Sequence, residues 1–265
     1  MSARTRAAGE VTRAAGELFS ALVPAFDRIF DDLDRLAEET RRMAAAASTG
    51  RGLYRDDLSA LRPLIFAMLE RHRGLIAGTG VITAPDLLMD APRWLEWWWM
   101  KASGAPEELR VNLDPAAPDF FDYTTTDWYV APERAGGRHV AGPYVDYACT
   151  NDYAVTLSVA IRDDEAMIGV AAADVLVSSL ELRVLPVLTG LARPVALANA
   201  DGRVIASNSA RCAPGFRVPT NSRTNCALGM NGVLGSNGVL GSAATGEHDD
   251  PSSIESWVLV DLDQR

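Results

Sequence analysis

The hydrophobic positions of the first fifty residues fall on a helical period. Val11, Ala14, Ala15, Leu18, Phe19 and Leu22 recur at i, i+3, i+4 and i+7, and Phe26, Ile29, Phe30, Leu33 and Leu36 continue the stripe. Asp, Glu and Arg hold the opposite side. Pro24 stands between the two stretches, so the spacing predicts a kink or a restart there. Such a stripe suits a dimer coil or packing against the rest of the domain. After a loop at 47–52, a second helix is predicted over 55–74, with Leu58, Leu61, Leu64, Ile65, Met68 and Leu69 on its apolar side.

The period then changes. Residues 78–84 (GTGVITA) predict a strand after a glycine turn, 86–90 a short helix, and LEWWWMK a second strand. Residues 109–113 suggest a third, and 119–131 a helix or turn. GPYVDYACT, AVTLSVAI and MIGVAAADVLV read as three strands of an antiparallel meander, with a turn at 163–165. A helix over 178–191 follows. PVALANADGRVIASN is a hairpin around Asp-Gly, and 256–262 (SWVLVDL) is a closing strand. NGVLGS occurs twice in a Gly-, Ser- and Asn-rich stretch, read as a loop.

Composition narrows the function classes. The chain has 265 residues, 48% hydrophobic and 23% charged, enough for a sizeable core. The net charge is −10, from 35 acidic and 25 basic residues, which argues against nucleic acid and against an anionic membrane surface. No apolar run is long enough for a signal peptide core or a membrane span, so the expected location is cytoplasmic. Cys149, Cys212 and Cys226 match no metal or redox spacing. His72, His139 and His248 lie in no metal-binding motif and are expected as surface or core residues; no nucleophile elbow or phosphate loop is present. No catalytic residue, metal or cofactor is therefore expected.

Aromatic and acidic residues alternate from 120 to 174. In an extended GPYVDY strand, Tyr144 and Asp146 share a face. Tyr123 and Asp127 share one if 119–131 is helical. Asp174 ends an apolar strand, where a carboxylate is costly unless something satisfies it. Rings and carboxylates facing one cavity would suit an amine through cation–π contacts and charge-assisted hydrogen bonds. The same pattern also fits core aromatics, with Asp174 capping the next helix.

Residues 78–185 resemble the ligand-binding subdomain of double Cache sensors. The resemblance rests on the GVITA strand, the Trp128–Tyr129 pair with Ala131, the Pro143–Tyr144 strand start, Asp146, and a G-V-x-x-x-D strand ending at Asp174. It implies an α+β, PAS-like antiparallel sheet with a long N-terminal helix along it, and a reduced second subdomain at 194–208 and 256–262. The expected division is 1–52 helical, 53–191 ligand-binding, and 192–265 smaller. It also implies a binding site without turnover. Asp146 and Asp174 would hold an amino group, Trp128 and Tyr129 would wall the pocket, Tyr123 and Tyr144 would donate hydrogen bonds, and Asp127 would set charge preference.

The arginine of the family's amino-acid motif falls on Thr126 and its first tyrosine on Phe121, which favours an amine lacking a carboxylate. One of Trp97, Trp98 and Trp99 is expected to reach the pocket. Cache sensors are usually extracytoplasmic and flanked by membrane helices. This chain is instead expected to signal through a regulatory partner protein or a homodimer, with the N-terminal helices as transmission element. The alternatives are an interaction module with a vestigial pocket and a carboxylate-dependent hydrolase.

Overall fold

In the computed structural model, the described residues are 3–101, 103–135, 137–148, 150–164, 166–218, 226–227 and 257–262. Both copies of NGVLGS, Cys149 and His248 lie outside them. The first element is one helix, α1 (Ala3–Ser48), with Pro24 inside it. The predicted restart at Pro24 is absent. Proline removes one helical hydrogen bond, but Leu18, Leu22, Phe26, Ile29, Leu33 and Leu36 on either side are all buried, and Pro24 itself is exposed. Tertiary burial overrides the local penalty.

Contacts divide the chain into two compact units, 1–26 with 142–144 and 177–265, and 27–141 with 145–176. The divisions fall inside α1, on either side of 142–144, and at 176/177. Spacing marks where a helix is, not which core its faces join.

The larger unit is built on a six-stranded sheet. Residues 55–74 form α2 (Arg55–Leu58), a 3₁₀ turn and α3 (Arg62–Arg71). The strands are β1 (Ile76–Thr83), β2 (Leu95–Met100), β3 (Pro106–Glu108), β4 (Arg138–Val145), β5 (Tyr153–Asp163) and β6 (Ala166–Leu176), in the order β3-β2-β1-β6-β5-β4. Three expectations shift. Residues 86–90 are not a helix, because Asp86 adopts a left-handed φ of 61° and its amide donates to the Pro92 carbonyl. The third strand lies at Pro106–Glu108, before 109–113. Residues 119–131 are not one helix. A 3₁₀ turn at Tyr123–Thr125 is capped by Asp122, and Thr126 is extended before α4 (Asp127–Ala135) starts.

The smaller unit holds α5 (Val177–Thr189) and a four-stranded sheet of β7 (Val195–Ala198), β8 (Val204–Ser207), β9 (Cys226–Ala227) and β10 (Val258–Asp261), ordered β8-β7-β10-β9. The Asp-Gly hairpin is β7–β8, with Gly202 at φ 76°. Ala196, Ala198, Val204, Cys212, Val218 and Val260 form its core. Phe26 packs edge-on against Trp257 at 5.7 Å.

Two helices cover one face of the larger sheet. Phe66 of α3 meets Trp98 edge-on at 4.9 Å, and Thr79 lies against Met68. The α1 segment from 27 onward lies beside α3, where Asp32 binds His72 Nε2 at 2.8 Å and Arg71. On this face Glu96, 1% exposed, accepts from Arg62 Nε and Trp98 Nε1, both at 2.8 Å. Arg62→Met would leave a buried carboxylate without its cation. Arg62 is partly exposed, so the expected loss is about 2 kcal/mol, less than for a fully enclosed pair. Urea denaturation of Arg62→Met and of Arg62→Met/Glu96→Gln checks this; the double variant should recover most of the loss.

Candidate functional site

Alternation along the strands decides what the second face of the larger sheet carries. Arg138 reaches Asp31 and Asp34 of α1, at 3.0 and 2.5 Å, and its guanidinium lies over Phe30. His139, the next residue, points the other way. Its Nε2 meets Asp127 of α4 at 3.1 Å. So α1 and α4 lie on opposite faces, and α4 covers the face away from α3.

The register across β2, β1, β6 and β5 aligns Trp99, Gly78, Asp174 and Thr156 in one row and Trp97, Gly80, Ala172 and Ser158 in the next row on the same side. Trp98 and Thr79 point to α3, so these two rows face α4. Their centre is small: Gly78, Gly80 and Ala172. The Trp97 indole lies across Gly78, where an added Cβ would come 2.7 Å from Nε1. A small residue at 78 is therefore what lets the ring lie over β1.

Asp174 sits in this floor. Thr156 Oγ1 donates to its Oδ1 at 2.6 Å. Burial raises its pKa to about 7, the nearby Asp146 charge adds to the rise, and the Thr156 hydrogen bond partly opposes it. Three further polar atoms around it are buried and have no hydrogen-bond partner: Trp97 Nε1, Ser158 Oγ and His139 Nδ1. Unpaired buried polar atoms are uncommon in native folds; among the described residues Arg93 Nε, Trp94 Nε1 and Glu96 Oε2 are unpaired as well.

The expected residues are distributed as follows. Trp128 and Tyr129, at the start of α4, are buried and stack edge-on at 6.2 Å, and Tyr129 packs on Tyr123 at 5.1 Å. The Tyr123 hydroxyl donates to the Thr83 carbonyl at 2.9 Å, so that hydrogen bond is committed within the fold. Burial raises its pKa to about 12. Burial and the Tyr123 hydroxyl raise that of Tyr129 too. Tyr123 and Asp127 are not on one helix, so their expected shared face does not exist. Asp127 is largely exposed and faces His139.

The Asp146 carboxylate accepts from the amides of Ala148 and Thr150 and from the Thr150 hydroxyl, at 3.0–3.1 Å, and so closes its own loop. Tyr144 groups with the smaller unit. Thr156, Ser158 and His139 were not anticipated, and Trp97 only as one of three candidates. The signal available in the sequence was two small polar residues at i and i+2 in an otherwise apolar strand.

Among the described residues no group of three or more His, Cys, Asp or Glu side chains could hold a metal ion, and no helix is long and apolar enough to cross a membrane.

A family model for the first PDC sensor domain of methyl-accepting chemotaxis protein-like receptors matches residues 109–182. No curated protein sequence matches the chain. Similar solved structures include the ligand-binding domain of Campylobacter jejuni chemoreceptor Tlp3 in complex with L-valine, 16% identical over 79% of this chain and 74% of that one, with a TM-score of 0.54. The same receptor's domain with 4-methylisoleucine is 15% identical over 81% and 75%, TM-score 0.55. A domain described as the extracellular part of a histidine kinase, soHK1S-Z6, is 15% identical over 76% and 71%, TM-score 0.55. The fold is that of Cache-type (PDC) sensor domains, α+β with a long N-terminal helix.

The raised pKa of Asp174 carries a stability consequence. The folded chain holds the proton more tightly than the unfolded chain, whose value is 3.8. The contribution is therefore fully present below about pH 4 and is lost as pH rises through about 7, an effect on the order of 4 kcal/mol at most. Asp174→Asn is expected to raise the melting temperature at pH 8 and leave it nearly unchanged at pH 4. Calorimetric scans at the two pH values check it.

Proposed function

We propose that this chain is a non-catalytic Cache-type sensor domain that binds a small organic ligand through an amino group, held by Asp174 on the α4-covered face of the sheet. The observation that carries this is a carboxyl group with a pKa raised to about 7 beside small residues and unpaired polar atoms. A site that keeps a costly acid in its interior gains when a cation enters. Trp128 and Tyr129 offer ring faces to that cation. Tyr123 contributes its ring, not its hydroxyl. Asp146 acts on the ligand through its charge, because its oxygens already close a loop. Tyr144 carries no part of this reading.

The amino acids bound in the similar Tlp3 domains support a ligand with an amino group. The motif position that would hold a carboxylate is Thr126, whose hydroxyl donates to the Tyr123 carbonyl at 2.7 Å. That favours an amine over an α-amino acid. Occupancy would be relayed to a regulatory partner protein or through a homodimer. A cytoplasmic location is kept as part of the proposal, although one of the similar structures is an extracellular domain; fractionation of the native cell decides it.

The test is a thermal-shift screen against amines, amino acids and carboxylates, followed by calorimetry. An amine at a hundred times its Kd should add about 2.7 kcal/mol of stability. The shift should vanish in Asp174→Ala. Affinity should rise between pH 6 and pH 8 as Asp174 loses its proton while the amine keeps its own. A shift with carboxylates alone would overturn the charge assignment, and no shift with any compound would overturn the sensor reading.

A further inference from the structure

We infer that the site has a second polar pole, formed by Ser158 and His139, and that its ligand is an amine carrying a hydroxyl group a few bonds from the nitrogen. This rests on the amine-binding reading above and adds the other end of the ligand. The Ala160 amide donates to the Gly137 carbonyl at 3.2 Å, which sets His139 opposite Ser158 on the neighbouring strand. Ser158 is 0% and His139 7% exposed. Neither Ser158 Oγ nor His139 Nδ1 has a hydrogen-bond partner.

The tautomer of His139 follows from its other nitrogen. Nε2 lies 3.1 Å from the Asp127 carboxylate, which can only accept, so Nε2 carries a proton, and in the neutral ring Nδ1 is then a bare acceptor. The pole thus offers one acceptor, Nδ1, beside one hydroxyl that can donate or accept. A ligand hydroxyl satisfies both at once, donating to Nδ1 and accepting from Ser158. An ammonium can only donate and would leave the Ser158 proton without an acceptor. A carboxylate cannot donate to Nδ1, and the two inward rows of β2, β1, β6 and β5 hold no Arg or Lys to balance its charge. An alkyl group satisfies neither atom.

Spacing sets the size. Ser158 is a diagonal neighbour of Asp174 across the β5–β6 pair, since Ser158 pairs with Ala172 and Asp174 with Thr156. Diagonal neighbours lie about 7–8 Å apart. A short chain joining nitrogen and hydroxyl spans that gap once both side chains reach inward. The Ser158 and His139 atoms are sealed from water in this conformation, so ligand entry requires the packing over them to open.

Titration calorimetry of the full chain at pH 8 with butylamine, aminobutanol and diaminobutane tests this. The expected result is that aminobutanol binds at least about tenfold tighter than butylamine, the combined worth of two buried hydrogen bonds. Ser158→Ala should lower that ratio, costing aminobutanol more affinity than butylamine, while the hydrogen bond to His139 Nδ1 remains. Equal affinities for aminobutanol and butylamine in the unmodified chain would overturn the second pole and leave the amine reading standing. Diamine binding tighter than aminobutanol would overturn the hydroxyl assignment. Binding of none of the three would overturn the amine reading itself.

Discussion

A carboxyl group in the interior of a sheet constrains everything around it. Asp174 lies on β6, between β1 and β5, with backbone ladders on both sides. It cannot be hydrated there, so its surroundings either neutralise it, hydrogen-bond it or leave room for a cation. The first two are present in part. Thr156 donates one hydrogen bond, the pKa rises to about 7, and the floor beside it is glycine and alanine. A position selected for stability alone would be expected to hold valine or threonine. The cost of the acid is the reason to read the face as functional.

The opposite face shows the contrast. There each buried charge on the sheet and its helices has a strong partner: Glu96 with Arg62, and Asp32 with Arg71 and His72. Those pairs fasten α1 and α3 to each other and to the sheet. On the α4 side, Ser158, His139 and Trp97 keep unpaired atoms. Glu96 keeps one unpaired oxygen on the first face, but its other oxygen is held by Arg62 and Trp98; on the α4 side the unpaired atoms belong to three different strands. The Asp127–His139 contact, the Arg162 hydrogen bond to the Glu133 carbonyl and the burial of Trp128 and Tyr129 join α4 to the sheet.

Much of the fold was readable because it rests on local periodicity. The helical stripe, the β5–β6 hairpin and the Asp-Gly hairpin each signal themselves within a dozen residues. The failures have a common cause. Pro24 argues locally for a break, yet burial on both sides keeps α1 whole. Asp86 to Asp90 has helix-compatible composition, but one left-handed residue turns it back. Site residues divided the same way. Asp174 was legible because a carboxylate in an apolar strand violates a local rule. Asp146 obeyed the same pattern yet serves its own loop. Ser158, His139 and Trp97 look ordinary in sequence. They become a group only through cross-strand register, which spacing along one strand does not contain.

The ionisation of Asp174 is the most direct measurement of this account. Carbon-detected NMR of the aspartate carboxyl groups, with Asp174→Asn to assign the resonance, gives its titration in the free chain and with a saturating amine. The account predicts a midpoint of about 7 in the free chain, falling toward the ordinary carboxylate range when the amine is bound. A midpoint near 4 in the free chain, unmoved by any amine, would contradict it.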